Sequence, residues 1–209
     1  MTRWIGISLM LAGLIVGAYF SLEWHTGRSA AENLDNKELK KYQKIEKAVH
    51  EDIKVSDLNE QEAPYVKQTS STSMHYPKGE QVAMLVIPKI GQKYSVYWGT
   101  DADVLKRGVG MFVSNLTTTP KGGGHTVLSG HRDTVFYNLH ELKEGDVLNV
   151  EYDGSLFTYT IQNIFITEKN DRSVIVKKGE PTLTLTTCYP FNYVGNAPER
   201  YVIQAILIQ

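Results

Sequence analysis

A mainly β domain, closed as an eight-stranded barrel with short helices and set behind an N-terminal transmembrane helix and a polar stalk, is the architecture this 209-residue sequence predicts. Three observations predict it. From Trp4 to Phe20 there is no charged residue, and Ile, Leu, Val, Met, Ala and Gly dominate. From Gln81 onward, short apolar or β-branched runs alternate with turn residues, the pattern of β structure. About eight such runs fall in roughly 130 residues, and closing them into a barrel leaves fewer exposed edges than an open sheet.

The apolar run is short but sufficient for a membrane span, which needs about 17–25 residues. A cleaved signal peptide, with Arg3 as its basic start, would need small residues in an A-x-A arrangement just after the apolar core. Ala18-Tyr19-Phe20-Ser21 does not supply them, and Arg28-Ser29-Ala30-Ala31 lies far downstream. No Cys follows, so a lipoprotein signal is excluded. Residues 1–24 therefore read as an uncleaved anchor. No second span appears. Arg3 keeps the amino terminus cytoplasmic and the rest of the chain extracytoplasmic, a single-pass cell-membrane topology.

Residues 25–80 read as a stalk and linker. Leu34, Leu39, Tyr42, Ile45 and Val49 fall near helical spacing among many Lys and Glu, which predicts a charged helix from Ala30 to about Asp52. It reads as a solvated stalk in preference to a partner helix or a cover over the domain. Gln61 to Glu80, with Gln68-Thr69-Ser70-Ser71-Thr72-Ser73, lacks core-forming residues and reads as a flexible linker.

The domain proper occupies 81–209. Strands are expected at Gln81–Ile87, stopped by Pro88, and at Lys93–Trp98, ended by Gly99. Asp101 to Leu105 suits a short helix with an Asp cap. Gly124–Gly130 is a strand and Val135–Leu142 one or two helical turns. Val147–Tyr152 and Phe157–Thr167 form a hairpin across Asp153-Gly154-Ser155. Asp171–Val176 is ambiguous. Thr182–Thr187 and Tyr201–Ile208 are the closing strands.

Composition excludes some functions. With 22 Lys+Arg against 23 Asp+Glu the net charge is −1, so there is no general basic face for nucleic acid. The single cysteine, Cys188, can form neither an internal disulfide nor half of a CxxC pair. A small buried hydrophobe, an intermolecular bridge or a nucleophile remains. Alternation along Thr182–Cys188 puts Leu183, Leu185 and Thr187 on one face and Thr182, Thr184, Thr186 and Cys188 on the other. If the leucines face the core, Cys188 faces out of it, at a strand end. A thiol nucleophile needs a base, usually histidine. His25 and His50 lie in the stalk region and His75 in the linker; His125 starts a strand and His140 sits in a helical segment. His131 is best placed, in the Gly-flanked polar turn Ser129-Gly130-His131-Arg132-Asp133-Thr134 that directly follows a strand. Arg200 opens the last strand, and an antiparallel return through the Asn192–Glu199 loop would bring it near Cys188. The plainer reading of Arg200 is a surface cation paired with Glu199.

Thr184-Leu185-Thr186-Thr187-Cys188 resembles the TLxTC motif of sortases, the cysteine transpeptidases of Gram-positive cell surfaces. Ser129-Gly130-His131-Arg132 is similar to their catalytic-histidine segment, and Arg200-Tyr201-Val202-Ile203 to their catalytic-arginine strand. The order His, Cys, Arg matches, and the similarity covers roughly Gln81 to Gln209. The Leu-Ser-Gly-His-Arg-Asp-Thr-Val-Phe wording and compact loops resemble the class D branch. The absence of a long insertion argues against class B, and that of an Asp-Pro-Trp-like lid argues against class C.

The resemblance implies a sortase-type eight-stranded barrel. It implies Cys188 as nucleophile toward an LPxT-like sorting signal of secreted surface proteins, His131 as general acid and base, and Arg200 as holder of the signal and the oxyanion. The acyl acceptor would be an amine of a cell-wall peptidoglycan precursor. No cofactor is implied. Some sortases bind calcium, but Glu141, Glu144, Asp146 and Asp171 are too scattered to suggest a metal site here. An L,D-transpeptidase would show S-H-G-C, and a papain-like protease would place Cys before His; neither holds. A thiol protease hydrolysing similar peptides, or a non-enzymatic anchored β domain, is the alternative.

Overall fold

The structure is a computed structural model and describes residues 2–28, 30–56, 68–192 and 195–208. Helix α1 spans Thr2–Arg28, strand β1 Ala31–Asn33 and helix α2 Asn36–Ser56. The strands β2 (Gln81–Ile87), β3 (Gln92–Trp98), β4 (Val109–Met111) and β5 (His125–Ser129) follow, with the one-turn helix α3 (Ala102–Leu105) between β3 and β4. Strands β6 (Val147–Tyr152), β7 (Ser155–Glu168), β8 (Thr182–Tyr189) and β9 (Glu199–Leu207) complete the chain.

Eight strands close in the order β3-β2-β6-β7-β9-β8-β5-β4, and β4 returns to β3 through a parallel pairing from Val96↔Val109 to Trp98↔Met111. β1 joins as an added ninth strand, antiparallel to β3. Alternating side chains fill the interior, among them Leu85, Tyr94, Val96, Leu128, Leu183, Leu185 and Ile203, and Phe136 from the turn after β5 joins them. The barrel therefore has the predicted strand count, with one different member. The eighth strand is Val109–Met111, and Asp171–Val176 is irregular. Three residues are too few to show alternation, and Gly110 is required there because a Cβ would sit 2.4 Å from the Gly99 carbonyl oxygen. At Asp171 the carboxylate accepts from the Ser173 amide at 2.8 Å and the Ser173 hydroxyl at 2.7 Å, which turns the chain out of extended geometry.

Smaller corrections concern the helices. Asp101 precedes α3, but its side chain makes no capping bond and pairs instead with Lys78 at 3.0 Å. Within Val135–Leu142 the helical part is a single 3₁₀ turn, Leu139–Glu141.

The expected solvated stalk is corrected over residues 31–49. α2 begins at Asn36 because Asp35 and Glu38 form a capping box. The Lys37 and Glu38 amides each donate to Asp35 Oδ1 at 2.7 Å, and the Asp35 amide donates to Glu38 Oε2 at 3.0 Å. Upstream, residues 31–33 extend to pair with β3. Tyr42 and Val49 are buried. The Tyr42 hydroxyl donates to Glu151 on β6, and Lys93 on β3 donates to Glu38 at 2.7 Å. The amphipathic stripe thus docks on the barrel. The flexible-linker expectation is likewise corrected for 68–80, while residues 61–67 of that stretch lie outside the described residues. Ser70 bridges to Thr118, and buried Ser71 bonds the Ser114 carbonyl oxygen at 2.9 Å and the Thr117 hydroxyl at 2.9 Å. Ser and Thr serve there as a polar seam rather than as slack chain.

The side chains of α1 from Trp4 to Tyr19 are exposed. Among the described residues, no helix is long and apolar enough to cross a membrane. The predicted transmembrane helix thus has a helical counterpart in α1 without support from the structure for a span.

The docking of α2 is testable. Tyr42→Ala should lower stability in urea melts by about 3 kcal/mol, the low end for truncating a buried aromatic. Tyr42→Phe should cost only about 1 kcal/mol, since the ring stays and one hydrogen bond goes.

Candidate active site

β8 lies between a parallel neighbour, β5, and an antiparallel one, β9, and these two ladders decide what surrounds Cys188. Leu183 and Leu185 face the core, so Cys188 faces outward, as the alternation predicts. Directly opposite Cys188 on β9 is Arg200, and opposite Arg200 on β7 is Thr167. Paired residues share a face of a sheet. On the other side Ser129 lies opposite Thr186, and the same parallel offset carries His131 level with Cys188. Two backbone bonds and one from a side-chain hydroxyl hold the turn there. The Gly130 amide donates to the Thr186 oxygen at 3.2 Å, the Thr187 hydroxyl to the Gly130 oxygen at 2.8 Å, and the Phe136 amide to the His131 oxygen at 2.8 Å.

The structure therefore brings His131, Cys188 and Arg200 together in one cleft of about 320 Å³. Its floor includes Ser129, Thr167, Thr186 and Val202 from the outer face of the sheet. Leu105 and Phe112 stand on one side, and the segment Glu168–Ile175 on the other. An adjoining cleft of about 360 Å³ shares His131, Lys169, Cys188 and Arg200 and adds Arg132, Asp133 and Asn196. Cys188 is a half-buried free thiol. The Arg200 Nη1 donates to the carbonyl oxygens of Glu199 at 2.9 Å and Ala197 at 3.4 Å, which steadies the guanidinium. The Glu199 backbone, not its carboxylate, is the partner.

The other histidines fall elsewhere. His50 and His75 are exposed, and His25 lies along α1. His140 is exposed, with Nδ1 2.9 Å from the Tyr137 oxygen. His125 is buried, with both ring nitrogens bonded at 2.7 Å, Nδ1 to the Val176 oxygen and Nε2 to the Thr184 hydroxyl. Burial pushes its pKa below the usual imidazole value.

Sequence reasoning passed over three contributors. Val174 and Ile175 line the cleft from the segment whose secondary structure was ambiguous, where the apolar pair was the available signal. Arg132 is buried, and its Nη2 donates to the Gly195 oxygen at 3.1 Å, linking the turn after His131 to the β8–β9 loop. Tyr193 and Val194 of the predicted Asn192–Glu199 loop lie outside the described residues. Among the described residues, no group of three or more His, Cys, Asp or Glu side chains is placed to hold a metal ion. Asp171 is engaged by Thr167 and Ser173.

With this geometry in view, the comparisons are specific. The sortase-domain family model matches residues 85–208, more than half of the chain, and the chain belongs to the sortase family. Sortase D of Bacillus subtilis (strain 168) is 47% identical over 126 residues, covering 60% of this chain and 63% of that protein. The chain thus spans less than two thirds of that relative's length. The catalytic domain of B. anthracis SrtD is 58% identical with a TM-score of 0.57, over 72% of this chain and 97% of that one. The Clostridium perfringens sortase D5 transpeptidase is 30% identical with a TM-score of 0.59, over 66% of this chain and 85% of that one. These likenesses agree with the class D branch that the sequence around His131 resembles.

Gly130 is where site and core meet most tightly, since a Cβ there would lie 2.7 Å from the Phe136 ring. Gly130→Ala should lower stability by about 1–3 kcal/mol through overpacking, read as a shift in the urea midpoint.

Proposed function

We propose that this chain is a membrane-anchored cysteine transpeptidase. It cleaves an LPxT-like sorting signal of a secreted surface protein after Thr and passes the acyl group to an amine of a peptidoglycan precursor. The observation that carries the reading is the cross-strand pairing of Cys188 with Arg200, with His131 in the same cleft. Family membership supports the class of reaction.

The Cys188 thiolate attacks the Thr carbonyl carbon, and charge moves to the carbonyl oxygen. Arg200 donates to that oxyanion; its guanidinium is steadied by the loop carbonyls it already bonds, so little reorganisation is needed. The C–N bond breaks as His131, in its imidazolium form, gives a proton to the leaving amine. A thioester on Cys188 remains. The neutral imidazole then takes a proton from the incoming amine as that amine attacks the thioester carbon. The thiolate leaves, the new amide forms, and imidazolium and thiolate are restored together. The chain's own side chains supply every proton transfer.

Residues 1–24 are proposed as the anchor, 25–80 as the connection and 81–209 as the catalytic domain, with the amino terminus cytoplasmic. The uncharged run Trp4–Phe20 supports the anchor. A tag after Gln209 should be protease-accessible on protoplasts and one before Thr2 protected; protection of the carboxyl-terminal tag would overturn the topology.

The reaction is tested with LPxT peptides and an amine acceptor, both products being counted by mass spectrometry. Rising amine concentration should divert hydrolysed peptide to ligated peptide with ping-pong kinetics. Cys188→Ala should abolish both products, and His131→Ala should reduce both by about 10²–10⁴-fold. Hydrolysis unchanged by every amine would leave a thiol protease as the better description.

A further inference from the structure

We infer that His125 is a positioning residue that pins the Val174–Ile175 wall of the cleft to the sheet and so sets affinity for the acyl-donor peptide. The inference rests on the transpeptidase reading above for the identity of that peptide. Its structural part stands by itself.

His125 begins β5 on the same outward face as the cleft floor, yet it is 1% exposed. Its bonding pattern fixes its state. The Val176 carbonyl oxygen, 2.7 Å from Nδ1, can only accept, so Nδ1 carries the hydrogen. Nε2 then accepts from the Thr184 hydroxyl at 2.7 Å. A neutral imidazole satisfies both bonds, and burial favours that form. One side chain thus joins three segments: β5, which leads to His131; β8, which leads to Cys188; and the irregular segment after β7.

That segment has no strand ladder of its own. Its start is folded by Asp171 with Thr167 and Ser173. Its far end is held by the Gln68 side chain, which donates to the Lys178 oxygen at 2.7 Å. Between them stand Val174 and Ile175, which line the cleft beside Cys188. The side-chain bond given to Val176 is the one from His125 to its backbone oxygen, one residue beyond that pair. The β8–β9 ladder places Cys188 and Arg200, and the hydrogen-bonded turn after β5 places His131, none of them through Val176. Losing the His125 bond should therefore loosen the wall and leave the reacting groups in register.

Two near-isosteric variants separate the two ring nitrogens. In His125→Asn the amide reaches the Nδ1 position and can still donate to Val176. In His125→Gln the amide reaches the Nε2 position, and the Val176 bond is lost. With a sorting peptide as substrate, His125→Gln should raise KM about tenfold with kcat within about twofold, the effect of one buried hydrogen bond. His125→Asn should stay near the wild-type KM. Amide hydrogens of residues 173–178 should exchange faster in the Gln variant than in the Asn variant or wild type.

Equal KM and equal exchange in both variants would overturn the inference, as would a kcat loss matching the KM change. Nitrogen chemical shifts of the wild-type ring give a check that needs no variant. Protonation at Nδ1 in the neutral ring is expected, and protonation at Nε2 alone would contradict the Val176 bond. Wild-type protein inactive on every sorting peptide would sink the transpeptidase reading; hydrogen exchange and ring tautomer would then decide the role of His125 by themselves.

Discussion

The arrangement of β8 between one parallel and one antiparallel ladder is the constraint on which the candidate site depends. The antiparallel register with β9 puts Arg200 opposite Cys188. The parallel register with β5 brings the turn after Ser129 to the same level from the other side. A one-residue slip in either ladder would reverse the facing of every residue on the slipped strand. The buried leucines of β8 oppose such a slip, because it would move Leu183 and Leu185 out of the core. Core packing and site geometry are thus enforced by the same register. Backbone register aligns the candidate groups, and the Thr187 hydroxyl and Arg132 guanidinium add side-chain ties to the turn that carries His131.

Barrel closure completes that constraint. The pairing of β4 with both β3 and β5 removes the edge that β5 would otherwise present. It does so with only three residues, and Gly110 is what lets the strand approach the Gly99 turn. Gly130 plays a corresponding part just past Ser129, the β5 residue opposite Gly110, where the chain must pass over the Phe136 ring to deliver His131. Two glycines therefore mark where backbone approach, rather than side-chain volume, decides the path.

Much of this was legible in the sequence, for identifiable reasons. Period-two alternation gave the outward facing of Cys188, and a strand, loop and returning strand gave its proximity to Arg200. The Gly-flanked turn singled out His131, and the long strands were visible through β-branched runs. The rest depended on partners far away in the chain. Tyr42 finds Glu151 across 109 positions, so a narrow apolar stripe could not reveal whether α2 was solvated or docked. The Asp35–Glu38 capping box was present in the sequence and marks the helix start more sharply than the apolar spacing did. Ser70 and Ser71 read as linker by composition, yet their hydroxyls bond a loop more than forty residues away. His125 looked like one more histidine at a strand start. Its bonding emerges only once Val176, from the segment before β8, and Thr184, within β8, are seen against its two nitrogens.

Two kinds of order meet at the cleft, and they respond to change differently. The floor is a hydrogen-bonded sheet in which Cys188 and Arg200 are fixed by cooperative ladders and His131 by the turn that continues β5, so a local substitution meets resistance from many neighbours. The wall at Val174 and Ile175 belongs to an irregular segment held by a few side-chain bonds, those of Asp171, His125 and Gln68. Such a segment can change in length and apolar content without disturbing the ladders, because its attachments lie outside them. Under the proposed function, specificity for the acyl donor would reside in how the wall is tied down, and reactivity in the register of β5, β8 and β9.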